Sequence, residues 1–197
     1  MGKEAHVQAL FADGEDHGQL KFEPPKLVFR GTQRRVYEGL ALAGVCALGD
    51  ALVLADGSRF RLGEKAAALW AATILNPKSR LEKLGVKPGH RVGVLNVADD
   101  RLVAELIVGG AQLVSNLTRL DLLFLGADNL DELAMLPSLI PALAEKGALW
   151  IVSRKGKSAT IGDVEVMAAA KAQGLADNKV VGFSATLTAL RFSRRRS

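Results

Sequence analysis

The sequence predicts two domains of different class: a β-rich antiparallel domain, then an α/β domain built on a mostly parallel sheet. Two observations carry this. Up to Leu62, apolar and polar residues alternate at the two-residue period of half-buried strands, punctuated by Gly-Asp and Asp-Gly turns. From Arg91 onward, near-continuous apolar strands alternate with segments of helical period, as in a parallel sheet covered on both faces.

In the first half, Val7, Ala9 and Phe11 alternate with His6, Gln8 and Leu10. Strands follow at 19–23 and 26–30, with Pro24-Pro25 breaking the ladder between them, and a fourth at 35–39. Gly49-Asp50 joins strands 45–48 and 51–54, and Asp56-Gly57 joins the latter to 59–62. Two-residue hairpins need positive φ at such positions. A helix starts at Gly63-Glu64, where Ala66, Leu69, Trp70, Thr73 and Ile74 form one apolar stripe. Asn76-Pro77 stops it and supplies a cap and first turn for a short helix over 77–84, ended by Gly85. Residues 76–84 read as the joint between domains. A curved sheet of about six strands capped by one C-terminal helix resembles, in outline, a pleckstrin-homology-like fold.

The second domain, residues 79–197, has strands at 91–97, 112–114, 121–125, 148–152, 179–184 and 188–193. Helices fill 99–108, 128–145 (interrupted at Pro137 and Pro141) and 161–173, the last with Thr160 and Asp163 as a capping box. No helix separates the last two strands, so they form an antiparallel hairpin. This is a Rossmann-like layout.

Composition narrows the classes. Nearly half of the 197 residues are apolar (49%), enough for a full core. The single cysteine, Cys46, excludes an internal disulfide and any multi-cysteine metal site, and it reads as core rather than nucleophile. The start MGKEAH shows no apolar leader, and no apolar run approaches the ~18 residues of a membrane span, so a cytoplasmic location is expected. Of the charged residues, nine Lys/Arg and nine Asp/Glu lie in 1–77, so the net +5 belongs to 78–197. Four of its cations are Arg191, Arg194, Arg195 and Arg196. Basicity is thus a property of the tail and not of a folded face, which argues against nucleic acid as a partner.

The segment RVGVLNVADD, residues 91–100, is the first strand and turn of the α/β unit. A nucleotide-binding turn there needs glycine for close approach of the backbone to phosphate. This turn has none and carries Asp99 and Asp100. Ligands of open α/β sheets bind outside the carboxyl ends of the strands. Those ends supply a candidate crevice of Asn96, Asp99, Gly126, Asp128, Arg154, Lys155 and Lys157, suited to a small anion or an acidic partner segment. The competing reading makes Asp99 and Asp128 helix caps and leaves the basic loop solvated. His6, His17 and His90 show no HxH or HxxxH spacing, so no metal site is expected. No serine has a nucleophile-elbow context, and Trp70 and Trp150 read as core. No catalytic residue is assigned.

Several segments resemble the bacterial DUF3052 family of unknown function: NPKSRLEKLGVKPGHRVGVLNV, then LDLLFL, GALWIVSRKGKSA and TALRFSRR, over about Ser79 to Arg195. The helix LGEKAAALWAATILNPKSR is similar to an extension that some members carry. The resemblance implies a small Rossmann-like domain and no established activity. The order of elements is also similar to class I methyltransferases. LDLLFLGAD resembles their fourth strand, LIPALAEKGALWIV the helix and fifth strand, and the final hairpin their sixth and seventh. Departures are the missing glycine loop, only residues 115–120 between the second strand and LDLLFL, and no acid at Ser115-Asn116 to hold a ribose. The leading expectation is a non-catalytic binding or scaffolding module without a cofactor, recognising a small molecule or protein. The alternative is a divergent S-adenosylmethionine-dependent, methyltransferase-like enzyme. A third reading is nucleic-acid association through the arginine tail, and a homodimer is left open.

Overall fold

The alternation of Val7, Ala9 and Phe11 runs along β1 (Lys3–Phe11), which turns at Ala12-Asp13 into β2 (Gly14–Glu23). In a computed structural model, which describes residues 3–195, the chain divides into two units, Met1–Lys78 and Ser79–Ser197. Unit one continues with β3 (Lys26–Arg30), β4 (Arg34–Tyr37), α1 (Leu40–Ala43), β5 (Cys46–Leu48), β6 (Ala51–Val53), β7 (Arg59–Arg61) and α2 (Glu64–Leu75). The strands form one antiparallel sheet in the order β4-β3-β2-β1-β7-β6-β5.

One face of this sheet is apolar because alternate residues share a face. Phe11, Phe29 and Phe60 meet there with centroids 5.2–5.8 Å apart, and Trp70, Ala71 and Ile74 of α2 close over the same core. The opposite face carries His6, Gln8, His17, Gln19, Arg30 and Arg61. Gly49 and Gly57 both take positive φ in the hairpin turns that their sequence signals mark. Cys46 corrects its expected place in the core: it is exposed, because β5 is an edge strand whose three residues all face solvent.

Unit two begins with α3 (Arg80–Leu84), followed by β8 (Arg91–Leu95), α4 (Asp100–Val108), β9 (Gln112–Leu113) and β10 (Leu120–Gly126). Then come α5 (Leu130–Leu133), α6 (Leu136–Leu139), β11 (Leu143–Arg154), α7 (Asp163–Ala172), β12 (Leu175–Gly182) and β13 (Leu187–Arg194). The cap of α3 is Ser79 in a capping box with Glu82, three residues past the Asn76 that sequence spacing favoured. Thr160 does not cap α7; its hydroxyl donates to the Asp128 carbonyl, and Glu165 reaches back to the Gly162 N–H instead.

The second sheet has the order β12-β13-β11-β10-β8-β9. Pairings β9-β8, β8-β10 and β10-β11 are parallel, and β11-β13 and β13-β12 are antiparallel. One face packs Leu84 of α3 and Leu102 and Leu106 of α4; the other packs α5, α6 and α7. Trp150 is fully buried, and its indole N–H donates to the Leu84 carbonyl at 3.1 Å.

The expected fold class is therefore corrected. The chain holds a large seven-stranded antiparallel sheet and a mixed six-stranded sheet, not a mostly parallel Rossmann-like sheet behind a small pleckstrin-homology-like domain. The first sheet is larger than expected because β2 begins at Gly14, where polar residues and glycines hide the alternation. The second is mixed because β13 enters between β11 and β12 and pairs antiparallel with both, which makes two of the five strand pairings antiparallel.

Phe60 sits under three aromatic rings and is fully buried. Phe60→Ala is expected to cost about 3–5 kcal/mol by transfer and cavity terms, read as a lowered urea midpoint of unfolding.

Candidate functional site

The carboxyl ends of β8, β10 and β11 meet in a crevice of about 60 Å³ lined by Asn96, Ala98, Gly126, Asp128, Glu132 and Leu187, among others. Its floor is a backbone-on-backbone contact. Asn96 turns the chain out of β8 in the left-handed region, at φ 54°. Its carbonyl oxygen would overlap a Cβ on Gly126, so only glycine lets the two strand ends close this far.

Of the residues expected at this edge, Asn96, Gly126 and Asp128 line the crevice, and Arg154 is tied to it. The Asp128 carboxylate accepts the Arg154 backbone N–H at 2.8 Å and pairs with its guanidinium at 3.2 Å. This binds the end of β10 to the end of β11. Asp128 is not a helix cap; Asn129 caps α5 by accepting the Glu132 N–H at 2.9 Å. Glu132, unmarked in the sequence, accepts the Asp128 N–H and completes the acidic wall. Lys155 and Lys157 stand outside the lining. The Lys155 N–H donates to Thr186 at 2.9 Å, and Lys157 is exposed in a one-turn helix over Gly156–Ser158.

Asp99 is also outside the lining, held by a residue that sequence reading missed. It caps α4 by accepting the Arg101 N–H at 3.0 Å, and its other oxygen pairs with Arg80. The Arg80 guanidinium also bonds Glu105 at 2.8 Å and lies 4.8 Å above the Phe183 ring. Arg80 is 16% exposed and Asp99 11%, so this is a largely desolvated pair. Burial pushes the Asp99 carboxyl upward, but the hydrogen bond and charge of Arg80 outweigh it, and the group sits below the ordinary aspartate value. Burial likewise lowers Arg80, and its two carboxylate partners more than compensate. No local pattern announces this cluster, because its members lie 19 and 25 positions apart.

The arginine tail is mostly structural where it is described. Arg191 donates to the Asn178 side chain, and Arg194 to the carbonyls of Ile140 and Leu143. Arg195 is exposed, while Arg196 lies outside the described residues. Among the described residues no group of three His, Cys, Asp or Glu side chains could hold a metal ion, and no helix is long and apolar enough to cross a membrane.

No family model matches the chain and no curated protein matches it, so the resemblance to DUF3052 finds no support. Solved structures do resemble it. A TehB-like SAM-dependent methyltransferase from Corynebacterium glutamicum aligns at TM-score 0.45 and 14% identity, over 67% of this chain and 97% of that one. An O-methyltransferase from neocarzinostatin biosynthesis, crystallised with S-adenosyl-L-homocysteine and 1,4-dihydroxy-2-naphthoic acid, aligns at 0.42 and 16%, over 59% of this chain and 52% of that one. The chain thus spans about half the length of that enzyme. Magnesium protoporphyrin IX methyltransferase from Synechocystis PCC 6803, with bound SAM, aligns at 0.39 and 8%, over 59% and 74%. The expectation of a non-catalytic, cofactor-free scaffold has no counterpart among these neighbours, which are named as methyltransferases. They give no support to a pleckstrin-homology-like extension. Likeness of this degree does not itself assign an activity, which has to come from the crevice and strand order.

Arg80→Ala would leave two carboxylates facing each other without a cation, at an expected cost of about 3 kcal/mol, with Arg80→Lys recovering only part. The pH dependence follows from the lowered Asp99 value. Its contribution is complete above the ordinary aspartate value of 3.8 and is lost as pH falls through the lower folded value. The stability gap between wild type and Asp99→Asn in urea should therefore be wide at pH 6 and narrow at pH 3.

Proposed function

We propose that unit two is a divergent, S-adenosylmethionine-dependent, methyltransferase-like enzyme with its ligand site at the Asn96–Gly126–Asp128 crevice. One observation carries this: the strand order. The elements that resemble the first, second, fourth and fifth strands of class I methyltransferases lie side by side and parallel, as β8, β9, β10 and β11. The strand that resembles the seventh, β13, is inserted antiparallel between β11 and β12. That insertion is what the resemblance implies. It places the crevice at the carboxyl ends of the parallel strands, where open α/β sheets take their ligands.

The chemistry of the wall suits part of such a cofactor. Asp128 and Glu132 present carboxylates to a ligand that carries ammonium and sulfonium charges. The space does not suit it. About 60 Å³ is well short of the ~300 Å³ at which ligand pockets begin, and only residues 114–119 lie between β9 and β10. The residues as placed thus do not fit the intact cofactor, and entry requires the Asp128–Arg154 wall to draw back.

Isothermal titration with S-adenosylmethionine and S-adenosylhomocysteine tests this. Saturable binding to wild type is expected, retained in Arg154→Ala and lost in Gly126→Leu, provided that circular dichroism shows this variant folded. Absence of binding to both wild type and Arg154→Ala overturns the reading.

A further inference from the structure

We infer that the outer face of the first sheet is a binding site for a phosphomonoester, centred on Arg30 and Arg34. The two arginines are directly opposed across β3 and β4, both exposed, on the face turned away from the core. Like charges directly opposite one another in a sheet are destabilising, and no carboxylate relieves this pair among the described residues. Three other cations of the unit are paired: Lys21 with Glu23, Lys26 with Glu38 and Arg35 with Asp13. Two carboxylates of the neighbouring strands are hydrogen-bonded to amides and keep their charge, Glu4 to Gln19 and Glu15 to Gln8.

Beside Arg30, the strands leave a hollow of about 630 Å³ lined by His6, Gln8, His17, Gln19 and Arg30, with Val7 and Gly18 in its floor. His6 and His17 occupy diagonal positions across β1 and β2, since His6 is opposite Gln19 and Gln8 is opposite His17. Gln19 is opposite Arg30, so donors run in a continuous row from Arg34 through Arg30 and Gln19 to His6. The turn that presents the two arginines is fixed in advance. Asp16 accepts from the Thr32 N–H at 2.9 Å and from the Thr32 hydroxyl at 3.1 Å, which holds residues 31–33 against β2.

The ligand class follows from the donors. Paired guanidinium forks match phosphate oxygens bidentately, and the hollow has the volume of a small-molecule site. Every phenylalanine of the unit, together with Trp70 and Tyr37, is buried, so the face has no aromatic ring on which nucleic-acid bases could stack. A phosphomonoester, free or as a lipid headgroup, supplies the oxygens that these donors match.

The test uses the full chain and is independent of the crevice. Amide chemical shifts are followed on titration with phenyl phosphate and glycerol 3-phosphate at fixed ionic strength, and vesicle co-sedimentation is run with and without phosphatidic acid. Expected are saturable shifts around Arg30, Arg34 and His6, weakened about tenfold or more in Arg34→Glu. That variant should also melt higher than wild type, because it converts an opposed like pair into an ion pair. Capture only by phosphatidic acid vesicles, abolished in Arg34→Glu, supports the headgroup as source; shifts with the soluble esters support a free ligand. The inference is overturned if neither probe binds, if Arg34→Glu binds as well as wild type, or if chloride at equal ionic strength gives the same shifts.

Discussion

One desolvated guanidinium organises the turn after β8 in the second unit. Arg80 leaves the first turn of α3 and gathers the cap of α4, a carboxylate nearly two turns further along that helix, and the ring of Phe183 beyond β12. The carboxylates would be costly to bury without it, and the cation would be costly to bury without them. Three segments distant in sequence are thereby fixed around the end of β8. Asp99 faces Arg80 and not the crevice, so the turn after β8 presents backbone and Asn96 to the ligand edge.

The crevice is the negative of that arrangement. With Asp99 turned away, its wall is made by Asp128 and Glu132, and Arg154 latches the wall to β11. Gly126 and the left-handed Asn96 let the ends of β8 and β10 approach to backbone contact. A small volume and a short segment between β9 and β10 are two expressions of one economy: little chain is spent at this edge.

Much of this was legible in the sequence, and the misses have physical causes. Alternation and Gly/Asp turns located the strands of the first sheet, and apolar runs located the strands of the second. The Gly14–Gly18 half of β2 escaped because its residues are polar or lack side chains, so burial leaves no periodic trace. Cys46 was misplaced because an edge strand and an inner strand read alike in a three-residue segment. At the site, residues just after apolar strands were visible as candidates, and Asn96, Gly126, Asp128 and Arg154 do come together. Whether a carboxylate caps a helix or latches a neighbouring strand depends on long-range pairing. Asp99 and Asp128 look alike in sequence and do different things. Arg80 was invisible for the same reason, since its partners are defined by the fold and not by spacing.

The most direct measurement is amide chemical-shift mapping of the isotope-labelled chain with S-adenosylhomocysteine. A methyltransferase-like site at this edge requires shifts that cluster on Asn96, Ala98, Gly126, Ala127 and Asp128, with the Arg154 amide moving as its bond to Asp128 breaks. Shifts confined to other surfaces, or none at saturating ligand, would contradict it.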